Sequence, residues 1–355
     1  MEERRITKIA KAGSVESNDI LIMMSPGEGS LEVEIESVVY KQFGDSIRKV
    51  ILDTLAEEGI KDAKVIAKDK GALDFTIRAR VKTGMLLNSD ILGADAYIID
   101  LEDAVAINEK DSARILVKEY INTFDRNADV FIRINPLDSP YFYEDLAVVK
   151  DLNVKGIVLP KASIESMEAL DIYLDENNID FKIIGLIETA MGLELSLEIL
   201  SKSKKVIGVL LGAEDLTLDL GAKRTKKSDE IRYARSRIIA VSKALQIEAI
   251  DTPWTDTDDY EGLKIDTLNA KDLGMTGKAL ISPRHVDIVN EIFSPSKEEL
   301  EYAVRVMEAV KSAKEKGLGA FSLDGKMVDL PIIKRAVNLL KMGGVYKEEY
   351  DGLLK

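Results

Sequence analysis

The chain of 355 residues has no cysteine and a single histidine, His285. The first absence removes disulfides, thiolate zinc sites and thiol nucleophiles together. The second means that a Ser-His-Asp triad would have to use His285, and that a zinc site of several histidines is impossible. General acid–base chemistry therefore falls mainly to Asp, Glu, Lys and Arg. No apolar run approaches the roughly 20 residues of a membrane span. The start, MEERRITKIAKAGS, is basic but lacks the apolar stretch of a signal peptide. No membrane association and a cytoplasmic location are expected. Lys and Arg are outnumbered by Asp and Glu, 49 to 63, giving a net charge of −14. That balance argues against nucleic-acid binding, where phosphate contacts need clustered cations. Surplus carboxylates suit a hard, oxygen-ligated cation such as Mg²⁺, although an acidic surface is also ordinary.

The chain changes character near residues 80–90. Before that point, Asp19–Pro26 reads as a strand, and Leu31–Val39 alternates Leu31, Val33 and Ile35 against Glu32, Glu34 and Glu36. Asp45–Glu58 carries the helical stripe Ile47, Val50, Ile51, Leu55. Further strands are expected at Ala63–Ala67 and Leu73–Val81. Together these make a small α+β unit. From Ile91 the rhythm becomes strand–helix alternation, with strand-like runs AYIID, VFIRIN, GIVLP, KIIGLIE, VIGVLLG, EAIDT and KALIS. Continuous apolar strands imply a parallel sheet covered on both faces. Such βα repetition predicts an α/β fold, a TIM (β/α)₈-type barrel, with a doubly wound sheet as the alternative. No GxGxxG or P-loop motif supports a nucleotide site.

Polar residues stand where those strands end: Asp100, Glu102 and Asp103; Arg133 and Asn135; Lys161; Glu188; Glu214 and Asp215; Asp251; Ser282. In a barrel these converge on one mouth at the C-terminal strand ends. Glu188 in GLIET and Asp215 in LGAED together offer a sparse Mg²⁺ site, with other positions left to water and substrate. Each alone is equally read as a cap or salt bridge, and Asp215 suits a helix N-cap. Arg133 presents a planar fork for a substrate carboxylate, or pairs with Asp100 or Glu102. Lys161 is read as a salt-bridging or substrate-positioning residue in preference to a Schiff base. His285 is expected in a polar surface or capping role, and Trp254 in packing.

These motifs resemble a known family. From about Leu86 to Gly344, ADAYIIDLEDAV, EKDSAR, IRINP, GIVLPK, IET, GLELSLEI, LGAED, DTPWTD, GKALISPRHV and LDGKMVDLP are similar to the citrate lyase β subunit, within the HpcH/HpaI aldolase and citrate lyase superfamily. Residues 1–83 resemble the citrate lyase acyl-carrier γ subunit through AGSVESNDI, VVYKQFGDSIRKVILDTL and KDKGALDFTIRARV. The resemblance implies a carrier domain at 1–83 and a lyase barrel with a C-terminal helical extension at 84–355. It implies Mg²⁺ on Glu188 and Asp215, a substrate carboxylate on Arg133, and a supporting acidic cluster of Asp100, Glu102 and Asp103. Asp329 matches an aspartate that reaches a neighbouring subunit's active site and is the candidate base. Ser17 matches the serine bearing a 2′-(5″-phosphoribosyl)-3′-dephospho-coenzyme A arm. The implied reaction cleaves a citryl thioester to an acetyl thioester and oxaloacetate. The implied partners are the citrate lyase α transferase subunit and further copies of the chain, as a trimer or hexamer.

One departure bears on the fold. Family barrels begin with a strand of the type RRSLLFVPGN, whereas here Arg80-Val81-Lys82-Thr83-Gly84 runs straight into Met85-Leu86-Leu87-Asn88-Ser89-Asp90. The barrel is thus expected to lack its own first strand. Either the carrier's strand around Phe75–Val81 replaces it or the barrel stays imperfect. A malyl-type thioester lyase, and a non-catalytic carrier or assembly chimera, are the competing readings.

Overall fold

Alternate residues from Ile20 to Ser25 are buried, and this strand is central to a small mixed sheet. The computed structural model describes residues 4–6, 10–57, 59–86, 93–123, 128–315, 321–323 and 326–353, in two units, Met1–Ile288 and Val289–Lys355. The first unit opens with β1 (Arg4–Arg5), β2 (Ala10–Ala12), β3 (Ile20–Ser25), β4 (Leu31–Ser37), α1 (Tyr40–Glu57), β5 (Ile60–Asp69) and α2 (Asp74–Leu86). β5 is the hub, antiparallel to β3 and parallel to both β4 and β1. The α1 stripe Ile47, Val50, Ile51 and Leu55 packs on Ile20, Ile22, Met24, Val65 and Ala67 in one core, as its spacing requires.

The strand expected at Leu73–Val81 is instead helix α2. Phe75, Ile77, Ala79 and Val81 do alternate with Thr76, Arg78 and Arg80, but Ile77, Val81 and Met85 recur every four residues. Those three are buried in the core of the small domain, while Phe75 is 69% exposed. A strand would have put Phe75 on the same face as Ile77. The segment therefore supplies no strand to the barrel.

The second part of this unit alternates β6 (Ala96–Asp100), α3 (Lys110–Thr123), β7 (Asp129–Arg133), α4 (Phe142–Val149), β8 (Gly156–Leu159), α5 (Ile164–Glu176) and β9 (Lys182–Ile187). It continues through α6 (Ala190–Glu194), α7 (Ser196–Ser201), β10 (Val206–Leu211), α8 (Ala213–Asp219), α9 (Arg232–Leu245), β11 (Glu248–Asp251), α10 (Tyr260–Leu273) and β12 (Gly277–Lys278). The seven strands pair in sequence order, all parallel. Phe131, Val158, Ile184, Leu186 and Leu210 from four strands share one cluster with Ile250 and Ala279, so the sheet is curled into a half-barrel around them. Among the described residues no eighth strand joins β6 to β12. Tyr120 of α3 packs against the core of the small sheet.

Helix α11 (Val286–Phe293) crosses the division between the units. The second unit holds α12 (Lys297–Glu315), the hairpin β13 (Phe321–Leu323) and β14 (Lys326–Val328), and α13 (Leu330–Met342), around Val306, Met307, Val337 and Leu340. No described helix is long and apolar enough to cross a membrane.

Candidate active site

Parallel pairing sets Asp100 at the end of β6 directly beside Arg133 at the end of β7. The Arg133 guanidinium donates from Nε to Asp100 Oδ1 at 2.7 Å and from Nη2 to Oδ2 at 2.5 Å. Its Nη1 lies 3.1 Å from Glu102 Oε2. Asp100 also accepts the backbone N–H groups of Glu102 and Ala104. Burial pushes the Asp100 carboxyl up, but the bonds and charge of Arg133 and those two N–H groups hold it below its ordinary value. Both pairings considered for Arg133 are thus present. Asp100 is saturated, and its work is to fix the guanidinium plane.

Glu102 is different. It is 4% exposed, yet neither carboxylate oxygen accepts a hydrogen bond. Burial dominates and raises it to about 7, against the pull of Arg133 and Lys161 and with the push of Asp103 and Asp100. Lys161 Nζ approaches to 3.7 Å. A buried carboxylate that is ion-paired but accepts no hydrogen bond still has lone pairs to satisfy.

Glu188 follows β9 and is also 4% exposed. Its Oε1 accepts the Lys161 backbone N–H at 2.7 Å. That N–H is aimed by a left-handed backbone at Lys161, φ 45°, an unusual conformation for a non-glycine residue. Burial first, then the charges of Glu102 and Asp215, raise Glu188 to about 7 despite that bond. Gly212, after β10, makes room for this carboxylate: a Cβ there would lie 2.6 Å from Glu188 Cβ and 2.8 Å from Oε2. Gly212, not Asp215, is the N-cap of α8; Asp215 sits in the first turn, half-buried.

The residues present fit a magnesium ion. Glu188 after β9 and Asp215 in the first turn of α8 offer two hard oxygen donors beyond adjacent strands, and Glu102 has oxygens without hydrogen bonds that could accept from coordinated water. Among the described residues no group of three or more His, Cys, Asp or Glu gathers at metal-binding spacing. A two-carboxylate site that leaves positions to water and substrate is consistent with that.

Lys110 and Arg114, in EKDSAR, play a part not read from sequence. Buried Lys110 donates from Nζ to the carbonyls of Leu101 at 2.7 Å and Glu102 at 2.6 Å. Asn135 donates to the Leu101 carbonyl as well, at 2.9 Å. Arg114 pairs with buried Asp145, which also accepts the Asn135 N–H. These groups hold the turn that presents Glu102. The only advance signal was two cations four residues apart on one helix face.

Two of the strand-end residues, and His285, do other work. Asp251 is fully buried with Arg235, Asp266 and Lys278 in a charge cluster spanning α9, β11, α10 and β12, so it is structural. Glu214 pairs with Arg224. His285, expected at the surface or in a cap, is instead buried: the turn Pro283–His285 rolls the ring inward, where Nε2 meets the Thr257 carbonyl at 3.0 Å and the ring packs edge-on to Tyr260. Trp254 is buried, as its packing role requires.

In the small sheet, Ser17 is exposed in the turn between β2 and β3. Asp19 braces this turn, accepting from Ser14 N and Oγ and from two nitrogens of Arg80, each of these two at 3.0 Å. Gly13 begins it at φ 90°. Asp329 is exposed and caps α13 by accepting the Ile332 N–H at 3.2 Å.

Comparison with known proteins places this fold in a family. The family model described as HpcH/HpaI aldolase/citrate lyase matches residues 80–283, and that of the malonate decarboxylase delta subunit, an acyl-carrier model, matches residues 7–87. The citrate lyase subunit beta of Leuconostoc mesenteroides subsp. cremoris is 36% identical over 267 residues, covering 73% of this chain and 88% of that protein. The mitochondrial citramalyl-CoA lyase of Homo sapiens is 31% identical, with 73% and 81% covered. The crystal structure of CitE from Mycobacterium tuberculosis with magnesium, acetoacetate and coenzyme A superposes with a TM-score of 0.62 at 30% identity, over 71% of this chain and 91% of that one.

Proposed function

Because the chain belongs to the HpcH/HpaI aldolase/citrate lyase family, we propose that it is a Mg²⁺-dependent lyase cleaving a citryl thioester to an acetyl thioester and oxaloacetate. The observation that carries this reading is the set of Glu188, Asp215, Arg133 and the unsatisfied, buried Glu102 at neighbouring strand ends. Glu188 and Asp215 would hold the ion, with Glu102 accepting from its water shell. When bound, Mg²⁺ would make the substrate's tertiary hydroxyl more acidic and stabilise charge on the emerging ketone oxygen. Arg133, its plane set by Asp100, would clamp a substrate carboxylate through Nη1. Lys161 would steady the substrate's remaining negative charge.

A base then takes the hydroxyl proton; the carbon–carbon bond electrons pass to the thioester α-carbon as an enolate, which is finally protonated. Asp329 is the candidate base. It is exposed within its own chain, so this role needs the burial that a neighbouring copy's mouth would provide. Ser17, exposed on a braced turn, would carry the phosphoribosyl-dephospho-coenzyme A arm, loaded by a citrate lyase α transferase subunit in a cytoplasmic trimer or hexamer. We place the division between the carrier and the barrel with its C-terminal extension at residues 83 and 84, within α2, whose end still packs in the small domain.

Oxaloacetate release from citryl-coenzyme A, with and without Mg²⁺, tests the reading in wild type and Asp215→Ala. Metal-dependent cleavage lost in the variant supports it; a folded wild type without cleavage leaves a carrier chimera as the better account. The similarity to citramalyl-CoA lyase favours assaying citramalyl- and malyl-coenzyme A alongside.

A further inference from the structure

The start of α9 and the second half of α10 line a cleft of about 250 Å³. Two of its lining residues are buried, Arg235 at 2% exposure and Ser228 at 3%. The Arg235 guanidinium commits Nε and Nη2 to Asp251 and Asp266. Its Nη1 makes no hydrogen bond among the described residues, which leaves one cationic nitrogen for the cleft. Ser228 has a left-handed backbone, φ 57°, and its Oγ donates to Asp266 at 2.8 Å, so this wall is braced from behind.

The exposed part of the lining carries both signs of charge, Lys227 and Arg232 against Asp229 and Asp272, with the Asn269 amide among them. Neighbouring cations are engaged elsewhere: Arg224 pairs with Glu214 and Glu230, and Lys226 with Asp256 and Asp259. Lys227, Arg232, Asp229 and Asp272 make no ion pair among the described residues, although they face one cleft. Opposite charges that share a cleft without meeting leave room for a ligand that meets both. Three cationic groups suit the oxygens of a phosphate monoester, where a lone carboxylate would be satisfied by one guanidinium fork. The two carboxylates and the amide oxygen suit donating hydroxyl groups. The volume lies below the roughly 300–1,000 Å³ of pockets for drug-sized molecules, so the ligand is small. Glu102, Arg133, Glu188 and Asp215 do not line this cleft, so it is separate from the mouth.

We propose that this cleft binds a small phosphate monoester bearing hydroxyl groups, with its phosphate on Lys227, Arg232 and Arg235 Nη1 and its hydroxyls on Asp229 and Asp272. The assignment stands whether or not the chain is a citryl lyase. Glycerol 3-phosphate, methyl phosphate and inorganic phosphate are titrated calorimetrically into the full-length chain, with EDTA present to keep metal ions from the mouth. Glycerol 3-phosphate is expected to bind tightest of the three. Lys227→Gln and Arg232→Gln, at exposed positions where folding is not at stake, should each weaken it roughly five- to tenfold, the effect of losing one charge-assisted contact near the surface. Asp272→Ala should narrow its lead over methyl phosphate, which has no hydroxyl to offer. Arg133→Gln, at the mouth, should leave its affinity unchanged. Absence of binding, equal affinity for methyl or inorganic phosphate, or binding that is lost in Arg133→Gln and kept in Arg232→Gln would each overturn the proposal.

Discussion

Replacing Gly212 by alanine perturbs the mouth through a single methyl group. The backbone there, φ −92° and ψ 84°, is open to an L-residue, so the effect reports contact and not conformational strain. The methyl would start 2.6 Å from Glu188 Cβ and 2.8 Å from Oε2. Ordinary carbon contacts are about 3.5–4 Å, so a displacement of roughly 1 Å is required. Glu188 cannot slide freely, because it is buried and its Oε1 is held by the Lys161 N–H at 2.7 Å. Overpacking of this size costs about 1–3 kcal/mol of stability, which leaves the chain folded. Misplacing a metal carboxylate by that distance should lower Mg²⁺ affinity roughly 10–100-fold and turnover about 100-fold. Titration calorimetry with Mg²⁺, above pH 7 so that Glu188 is ionised, reads the first quantity. Gly208→Ala is the control, since a Cβ there meets nothing closer than 3.6 Å. A folded Gly212→Ala chain that binds Mg²⁺ like wild type would refute the assignment of Glu188 as a ligand.

Four further outcomes are expected. Asp266→Asn leaves Arg235 and Lys278 undercompensated in a dry site and should cost about 3–5 kcal/mol in urea unfolding, where a loss below 1 kcal/mol would contradict the cluster. Lys278 and Arg235 hold the Asp266 carboxyl at about 2, against 3.8 ordinarily and in spite of burial. Its roughly 2 kcal/mol of stability is therefore complete above the ordinary value and fades as pH falls towards 2, a slope that acid titration should find flattened in Asp266→Asn. Ala79→Pro should destabilise the small domain by about 3 kcal/mol or more as a mid-helix break, whereas an edge strand would tolerate it. Lys110→Met removes the ammonium from the Leu101 and Glu102 carbonyls and should weaken Mg²⁺ binding roughly tenfold, with partial recovery in Lys110→Arg.

Most of the barrel and its mouth could be read in advance, because parallel strands are continuous apolar runs and their polar ends stand out against them. Asp100, Glu102, Arg133, Lys161, Glu188 and Asp215 were found that way. The α2 segment reads as a strand from sequence because Phe75–Val81 satisfies both periods, and Met85, beyond the alternating stretch, decides for the helix. The Asp251 cluster was invisible for another reason. Its four charges come from α9, β11, α10 and β12, and no local pattern announces that they will neutralise one another at 2% exposure or less. The inward turn of His285 likewise depends on Thr257 and Tyr260, a loop away.

Helix α2 has a consequence for taking the molecule apart. It runs from Asp74 to Leu86 without interruption, through residues 83 and 84 where one half would be cut from the other. Arg80 within it clasps the Ser17 turn through Asp19, and Met85, past the cut, belongs to the small domain's core. A small domain excised at residue 83 would lose that side chain and end in a frayed final turn. Any clean dissection must carry the whole helix with the small domain, and a fragment beginning at residue 84 would start on a remnant of its neighbour's core.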